Sequence, residues 1–295
     1  MHDWKSQNRE FTTHQAEAIV QCAEAKGWSV AAHDYMRLVN HVAYRLAVDE
    51  YQGQLGHLLP LNDQSRVLQM RCDWGAIAFN LATRVASVVG IDDRITRLRF
   101  ASARCRQEGV KNLHLVRVGA PCPLPFADGS FDAAIVLDPA DESVVDYRTA
   151  GASSPSAILA EVKRVLRQGG SLLLGVANRL GLGRQRNRQQ QALTYWGCIS
   201  ALKEAGFTPV GFFAALPSYH EPFFIVPLDR MEPVRHFIDS LLAAEDYRAK
   251  LEERGLTLIY RLALTGWRVG RRLGLARLIR FAVPSYVVVA RAQGD

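Results

Sequence analysis

The sequence predicts a doubly wound α/β fold: a Rossmann-like sheet with N-terminal helices and a helical insertion before its last strand. Three observations point there. From Arg66 to Asn178 short apolar runs alternate with amphipathic stretches, as parallel strands covered on both faces by right-handed crossovers require. Glycines stand where helices should end. At 295 residues the chain is long enough for one large core with additions.

Ahead of the sheet, His14 to Ala25 and Ala31 to His57 carry apolar residues at helical spacing, among them Tyr35, Leu38, Val42 and Leu46. LLPLNDQS supplies the Pro, Asn and Asp of a loop, and RVLQM reads as a buried first strand. VASVVGID, LHLVRVG, FDAAIVLD and SLLLGVAN follow as strands, with RITRLRFASARCRQEG and PSAILAEVKRVLRQGG as helices between them. In the first of these helices Ile95, Leu98, Ala101 and Cys105 form the apolar stripe, and Arg97, Arg99, Arg104 and Arg106 lie mostly off it, as a solvated face would. Gly109, Gly169 and Gly170 follow the expected helix ends.

Past Asn178 comes a basic loop, RLGLGRQRNRQQQ, then a helix in TYWGCISALKEAGF and a strand in PVGFFAAL, after which Tyr219, His220 and Glu221 lie in a loop between two prolines. Two or three helices precede the closing strand SYVVVARA. Among them Gly266, Gly270 and Gly274 recur every four residues, giving one smooth face ringed by Arg268, Arg271, Arg272, Arg277 and Arg280. A lid packed on the core fits this pattern, and so does a helix resting on an anionic or membrane surface. The division is therefore a helical extension over 1–60, a core over 61–228 and 283–295, and a lid over 229–282.

Composition narrows the class. Hydrophobic residues are 48% and charged residues 22%, the balance of a packed soluble protein. No run of about 18 apolar residues occurs and MHDWKSQNRE has no signal-peptide core, so a cytoplasmic protein is expected. Cys22, Cys72, Cys105, Cys122 and Cys198 are odd in number and scattered, which favours free thiols over disulfides or zinc, and no His motif suggests a metal. The net charge of +7 favours anionic partners without choosing one, and no nucleic-acid module is recognisable.

RVLQMRCDWG, VVGIDD, LPFADGSFDAAIVLD and EVKRVLRQGGSLLLGVANRLG, in that order and spacing, together with the closing YVVVARA, resemble the class I S-adenosylmethionine-dependent methyltransferases. The resemblance implies a methyltransferase sheet, that cofactor, and a first turn with an acid on the strand followed by G-x-G-x-G. Gln69 stands at the acid's position, Arg71 and Asp73 at the first two glycines, and Gly75 at the last. Glycine serves there because cofactor lies against the backbone. Asp92 matches the acid that accepts from both ribose hydroxyls, and Ala120 stands where many relatives place an acid near the adenine amine. Asp73 is expected to cap the following helix. Arg71 either swings to solvent or fills the pocket with positive charge. Three lost contacts at about 1 to 3 kcal/mol each imply cofactor affinity near millimolar.

Methyl transfer is an in-line displacement governed by alignment, so acceptor-side candidates lie at the carboxyl ends of the strands. Asp138 ends the fourth strand and could orient an amine or deprotonate a hydroxyl; His220, with Glu221 beside it, could act as a base. Asn178, Arg179 and Tyr219 are the substrate candidates. The leading expectation is methylation of a small molecule, such as a glycan, lipid-linked or natural-product intermediate. The alternative is a catalytically inactive pseudoenzyme acting as a partner or regulatory subunit, in a homodimer or in a heteromer with an active methyltransferase. A third reading has Arg71 hold an anionic ligand for different chemistry.

Overall fold

A computed structural model describes residues 11–48, 50–119, 123–137, 155–181, 192–243, 265 and 275–294. Its N-terminal helices are α1 (Thr13–Lys26), α2 (Trp28–Ala31), a π-turn (Ala32–Met36), α3 (Arg37–Val39), α4 (His41–Val48), α5 (Glu50–Gly53) and a 3-10 turn (Gln54–Leu58). Thr12 starts α1 with a capping box: its hydroxyl accepts from the Gln15 amide at 3.2 Å, and its own amide donates to Gln15 Oε1 at 2.9 Å. The single helix expected from Ala31 to His57 is instead broken at Asn40, which is extended and whose Oδ1 accepts from the Ala43 amide at 2.9 Å. Asparagine's capping chemistry overrides the apolar spacing there.

The core follows as β1 (Arg66–Met70), α6 (Ala76–Ala82), β2 (Ser87–Asp92), α7 (Ile95–Glu108), β3 (Leu113–Arg117), β4 (Phe131–Leu137), α8 (Pro155–Val165), β5 (Leu166–Ala177), α9 (Tyr195–Glu204), β6 (Phe207–Pro217), β7 (Pro222–Pro227), α10 (Met231–Ala243), a 3-10 turn (Leu275–Phe281) and β8 (Ser285–Ala292). The strands form one 8-stranded sheet in the order β3-β2-β1-β4-β5-β8-β6-β7. β1 to β5 run parallel, and β8 lies antiparallel between β5 and β6. Alternate residues of β1 face opposite layers: Val67 joins Ile77 and Phe79 of α6, and Leu68 and Met70 join Leu159 and Val162 of α8.

Two local features differ from the sequence reading. SYHEPFFIVPLD, where no strand was expected, supplies the edge strand β7, in which Phe224, Ile225 and Val226 pair with β6. Prolines at both of its ends are tolerated because an edge strand can dispense with ladder donors. Gly169 is left-handed (φ 72) but sits in a register shift at the start of β5, not at a helix end. Gly109 does end α7 in that conformation (φ 68).

Arg106 is exposed as expected, but Arg97, Arg99 and Arg104 are engaged by neighbouring elements. Arg99 pairs with Glu17 and Glu24 of α1 at 2.7 and 2.8 Å. Arg104 stacks on Trp28 and Phe79, 4.0 and 4.1 Å from the ring centroids, and donates to the Ala47 carbonyl at 2.9 Å. The N-terminal helices are thereby fixed to α7 beside β2. Gly266, Gly270, Gly274, Arg268, Arg271 and Arg272 lie outside the described residues. Among the described residues no helix is long and apolar enough to cross a membrane.

Candidate active site

The turn after β1 keeps glycine's backbone without its glycines. Arg71, Asp73 and Gly75 have φ of 51, 50 and 97, and left-handed geometry costs a residue with a Cβ about 1 kcal/mol. Neighbours impose it. The Cys72 amide donates to the Ile91 carbonyl at 2.9 Å, the Asp73 amide to Asp92 Oδ2 at 3.0 Å and the Gly75 amide to the Cys72 carbonyl at 2.9 Å. Cys72 lies against Gly90, where an added Cβ would come within 3.1 Å of it. Trp74 is buried edge-on against Phe11 and Phe100.

Asp73 does not cap α6. Its helix starts from Gly75 with no side-chain cap, because the Asp73 carboxylate is ion-paired to Arg97 of α7. Arg97 also lies 3.8 Å from Asp92 Oδ2. The Asp92 side chain is only 1% exposed; Oδ2 takes the Asp73 amide and Oδ1 the Arg94 amide at 2.9 Å. The acid expected to meet a ribose is thus turned inward and roofed by Arg97.

Burial, and then the Asp73 carboxylate, push the Asp92 pKa up to about 6 against the pull of Arg97. The same burial raises the Cys72 thiol, with Asp92 and Asp73 adding to it. Because the folded state holds the Asp92 proton more tightly than the unfolded chain does, the contribution of this group to stability falls as pH rises from about 4 to about 6. Asp92→Asn is therefore expected to gain about 2 kcal/mol on the wild type between pH 4 and pH 7, as urea titrations at the two pH values would show. Parallel pH profiles would contradict it.

Gln69 is buried on β1 between Gly90 and Ile135, and its Oε1 has no hydrogen-bond partner among the described residues. Such an orphan costs about 1 to 3 kcal/mol, and an ammonium or amide donor would satisfy it. Arg71 is half-buried. The five residues Gln69, Arg71, Asp73, Gly75 and Asp92 are thus gathered at the carboxyl ends of β1 and β2. Ala120 lies outside the described residues.

The acceptor-side candidates fare differently. Asn178 is fully buried, donates to the Phe281 and Val283 carbonyls at 2.9 and 2.6 Å, and accepts from the Leu180 amide at 3.0 Å. It ties the end of β5 to the entrance of β8 and presents nothing to a substrate. Arg179 is exposed just beyond it. Tyr219 is buried over the ends of β4 and β5: a Cβ added at Gly175 would meet Leu137 at 2.6 Å and Tyr219 at 3.1 Å. His220 is half-buried with its ring 4.2 Å from that of Tyr219. Glu221 forms an ion pair with Arg45 of α4 at 3.2 Å. Asp138 lies outside the described residues.

The sequence reading missed Arg97 as a site residue, along with Arg94 and Trp74. These three, with Phe11 and Thr96, border a pocket of about 110 Å³ between the N-terminal helices and the start of α7. A nucleoside needs more, since small-molecule sites run to about 300 Å³ and above. The donor-seeking Gln69 oxygen fits the amino-acid end of the expected cofactor. The closed Asp92 corner does not fit its ribose in this arrangement.

Residues 68–174 match the family model described as a methyltransferase domain. Among solved structures the chain is similar to the cyclase SpnF, at 18% identity over 85% of this chain and 83% of that one, with a TM-score of 0.53. It is also similar to phosphoethanolamine N-methyltransferase 2 of Haemonchus contortus in complex with S-adenosyl-L-methionine, at 16% identity over 94% of this chain and 60% of that one, with a TM-score of 0.54. At these identities the likeness shows the fold alone.

Proposed function

We propose that the chain, whose residues 68–174 match a methyltransferase domain, is of the class I S-adenosylmethionine-dependent methyltransferase family, binds this cofactor weakly at the turn from Arg71 to Gly75 and methylates a small molecule. The carrying observation is the orphaned Gln69 oxygen beneath a turn with left-handed backbone at Arg71, Asp73 and Gly75, the three positions where the family motif has glycine. An amine at the cofactor's methionine end would donate to that oxygen, and the backbone of Gly75 would let it approach. Asp92 would receive the ribose only after Arg97 leaves Asp73.

The methyl acceptor is assigned to the carboxyl edge of the sheet, where Tyr219 is buried, His220 half-buried and Arg179 exposed. His220 and Asp138 are assigned to hold or remove the acceptor's proton. The acceptor class we assign is a glycan, lipid-linked or natural-product intermediate, in a cytoplasmic protein. The alternative, a catalytically inactive partner of an active methyltransferase, is favoured by the burial of Asp92. Fold does not decide between them, since a cyclase shares it.

Calorimetric titration with S-adenosylmethionine and S-adenosylhomocysteine decides. Saturable heat with a Kd near millimolar is expected for the enzyme reading. No heat at millimolar ligand rejects it in favour of the subunit reading, which in turn requires methyl transfer by a co-purified partner to depend on this chain.

A further inference from the structure

The opposite edge of the sheet, where the strands begin, holds a second pocket of about 210 Å³. It is bordered by Asn62, Ser65, Asp132, Arg167, Ser171 and Arg291, and shares no residue with the turn after β1. Its charge is two guanidiniums against one carboxylate. That carboxylate is fully engaged: Asp132 Oδ1 takes Arg167 Nε at 2.8 Å, and Oδ2 takes the Arg66 amide at 2.6 Å. Using Nε for the pair leaves the outer nitrogens of Arg167 available, and its side chain is 65% exposed.

Arg291 makes no ion pair among the described residues. β5 and β8 place it directly across from Ser171, which β4 in turn places beside Ala133. Ser171 is 5% exposed, borders the pocket, and its hydroxyl makes no hydrogen bond to another described residue. A buried hydroxyl donor and an unneutralised guanidinium thus face the same small, polar space. Arg291 is itself exposed, and neither its guanidinium nor the Ser171 hydroxyl is paired with another described residue.

We propose that this pocket is a binding site for a small oxyanion, a phosphate group carried free or on a small ester, held by Arg291 and the outer nitrogens of Arg167 with Ser171 as a neutral donor. Guanidinium forks match the paired oxygens of phosphate, and a hydroxyl serves a third. The volume admits the phosphate with a short substituent and excludes a nucleotide. The basic balance of the whole chain, +7, raises the local concentration of such anions.

The full chain is titrated with inorganic phosphate and, separately, glycerol 3-phosphate at matched ionic strength, following phosphorus line width and melting temperature. Saturable binding of at least one is expected; tighter binding of the ester identifies a phosphomonoester as the ligand, and equal or tighter binding of phosphate identifies the free ion. Arg291→Gln should weaken the better ligand by about tenfold or more, and Ser171→Ala by about threefold. Asp92→Asn, at the other edge, should leave it unchanged. Absence of saturable binding in the wild type overturns the proposal, as does undiminished affinity in Arg291→Gln. If Arg291→Gln fails to fold, Arg291→Lys keeps the charge without the fork and should still weaken binding severalfold; unchanged affinity there overturns the proposal equally.

Discussion

The double variant Arg71→Gly/Asp73→Gly is expected to bind S-adenosylhomocysteine about tenfold or more tightly than the wild type while unfolding at nearly the same denaturant concentration. Opposing effects nearly cancel in stability but not in binding. Both positions already hold left-handed backbone (φ 51 and 50), so glycine removes about 1 kcal/mol of local strain at each. The greater backbone freedom of glycine in the unfolded chain offsets most of that gain. Loss of the pair with Arg97, whose side chain is 14% exposed, costs a comparable amount. For binding, however, the substitutions remove the Asp73 carboxylate and release Arg97 from above Asp92. Tenfold corresponds to about 1.4 kcal/mol, less than the cost of one blocked buried acceptor. Calorimetry on both proteins measures it, and equal affinities would show that this turn does not carry the cofactor.

The largest stability effect is expected at Asn178. Replacing it with alanine strips two carbonyls and one amide of their partner at once, with an expected loss of about 3 kcal/mol, or roughly 5 °C in Tm for a chain of this size. Arg179→Ala, one residue on and exposed, should change stability by less than about 0.5 kcal/mol. Thermal denaturation of the pair separates the roles. Similar small effects for both would return Asn178 to the substrate side of the site.

The alternation of strands and helices was legible because burial on two faces leaves continuous apolar runs, and the order of VVGIDD, LPFADGSFD and VLRQGG located the domain. The edge strand β7 was not, since Pro222 and Pro227 read as loop residues when pairing partners are unknown. Asn40 was hidden within a good apolar period, where its capping role appears only once α4 exists. The motif pointed to positions 69, 71, 73, 75 and 92, which the fold gathers at one edge, but not to the inward turn of Asp92. It depends on Arg97, which sits off the apolar stripe of α7 like any solvated residue and acquires its partner only when the turn 24 residues earlier folds beneath it. Arg99 and Arg104 illustrate the same limit: their partners lie on helices that periodicity cannot dock.

Proline at each end of β7 also bears on the behaviour of the molecule in concentrated solution. The rim strand offers an incoming β-segment only a brief ladder, Phe223 to Val226, bounded by two residues without amide hydrogens. Phe223 and Phe224 are exposed there and would otherwise invite sheet-to-sheet growth. Replacing either proline with threonine or valine would lengthen that template, and fibril seeding would be expected to begin at this rim.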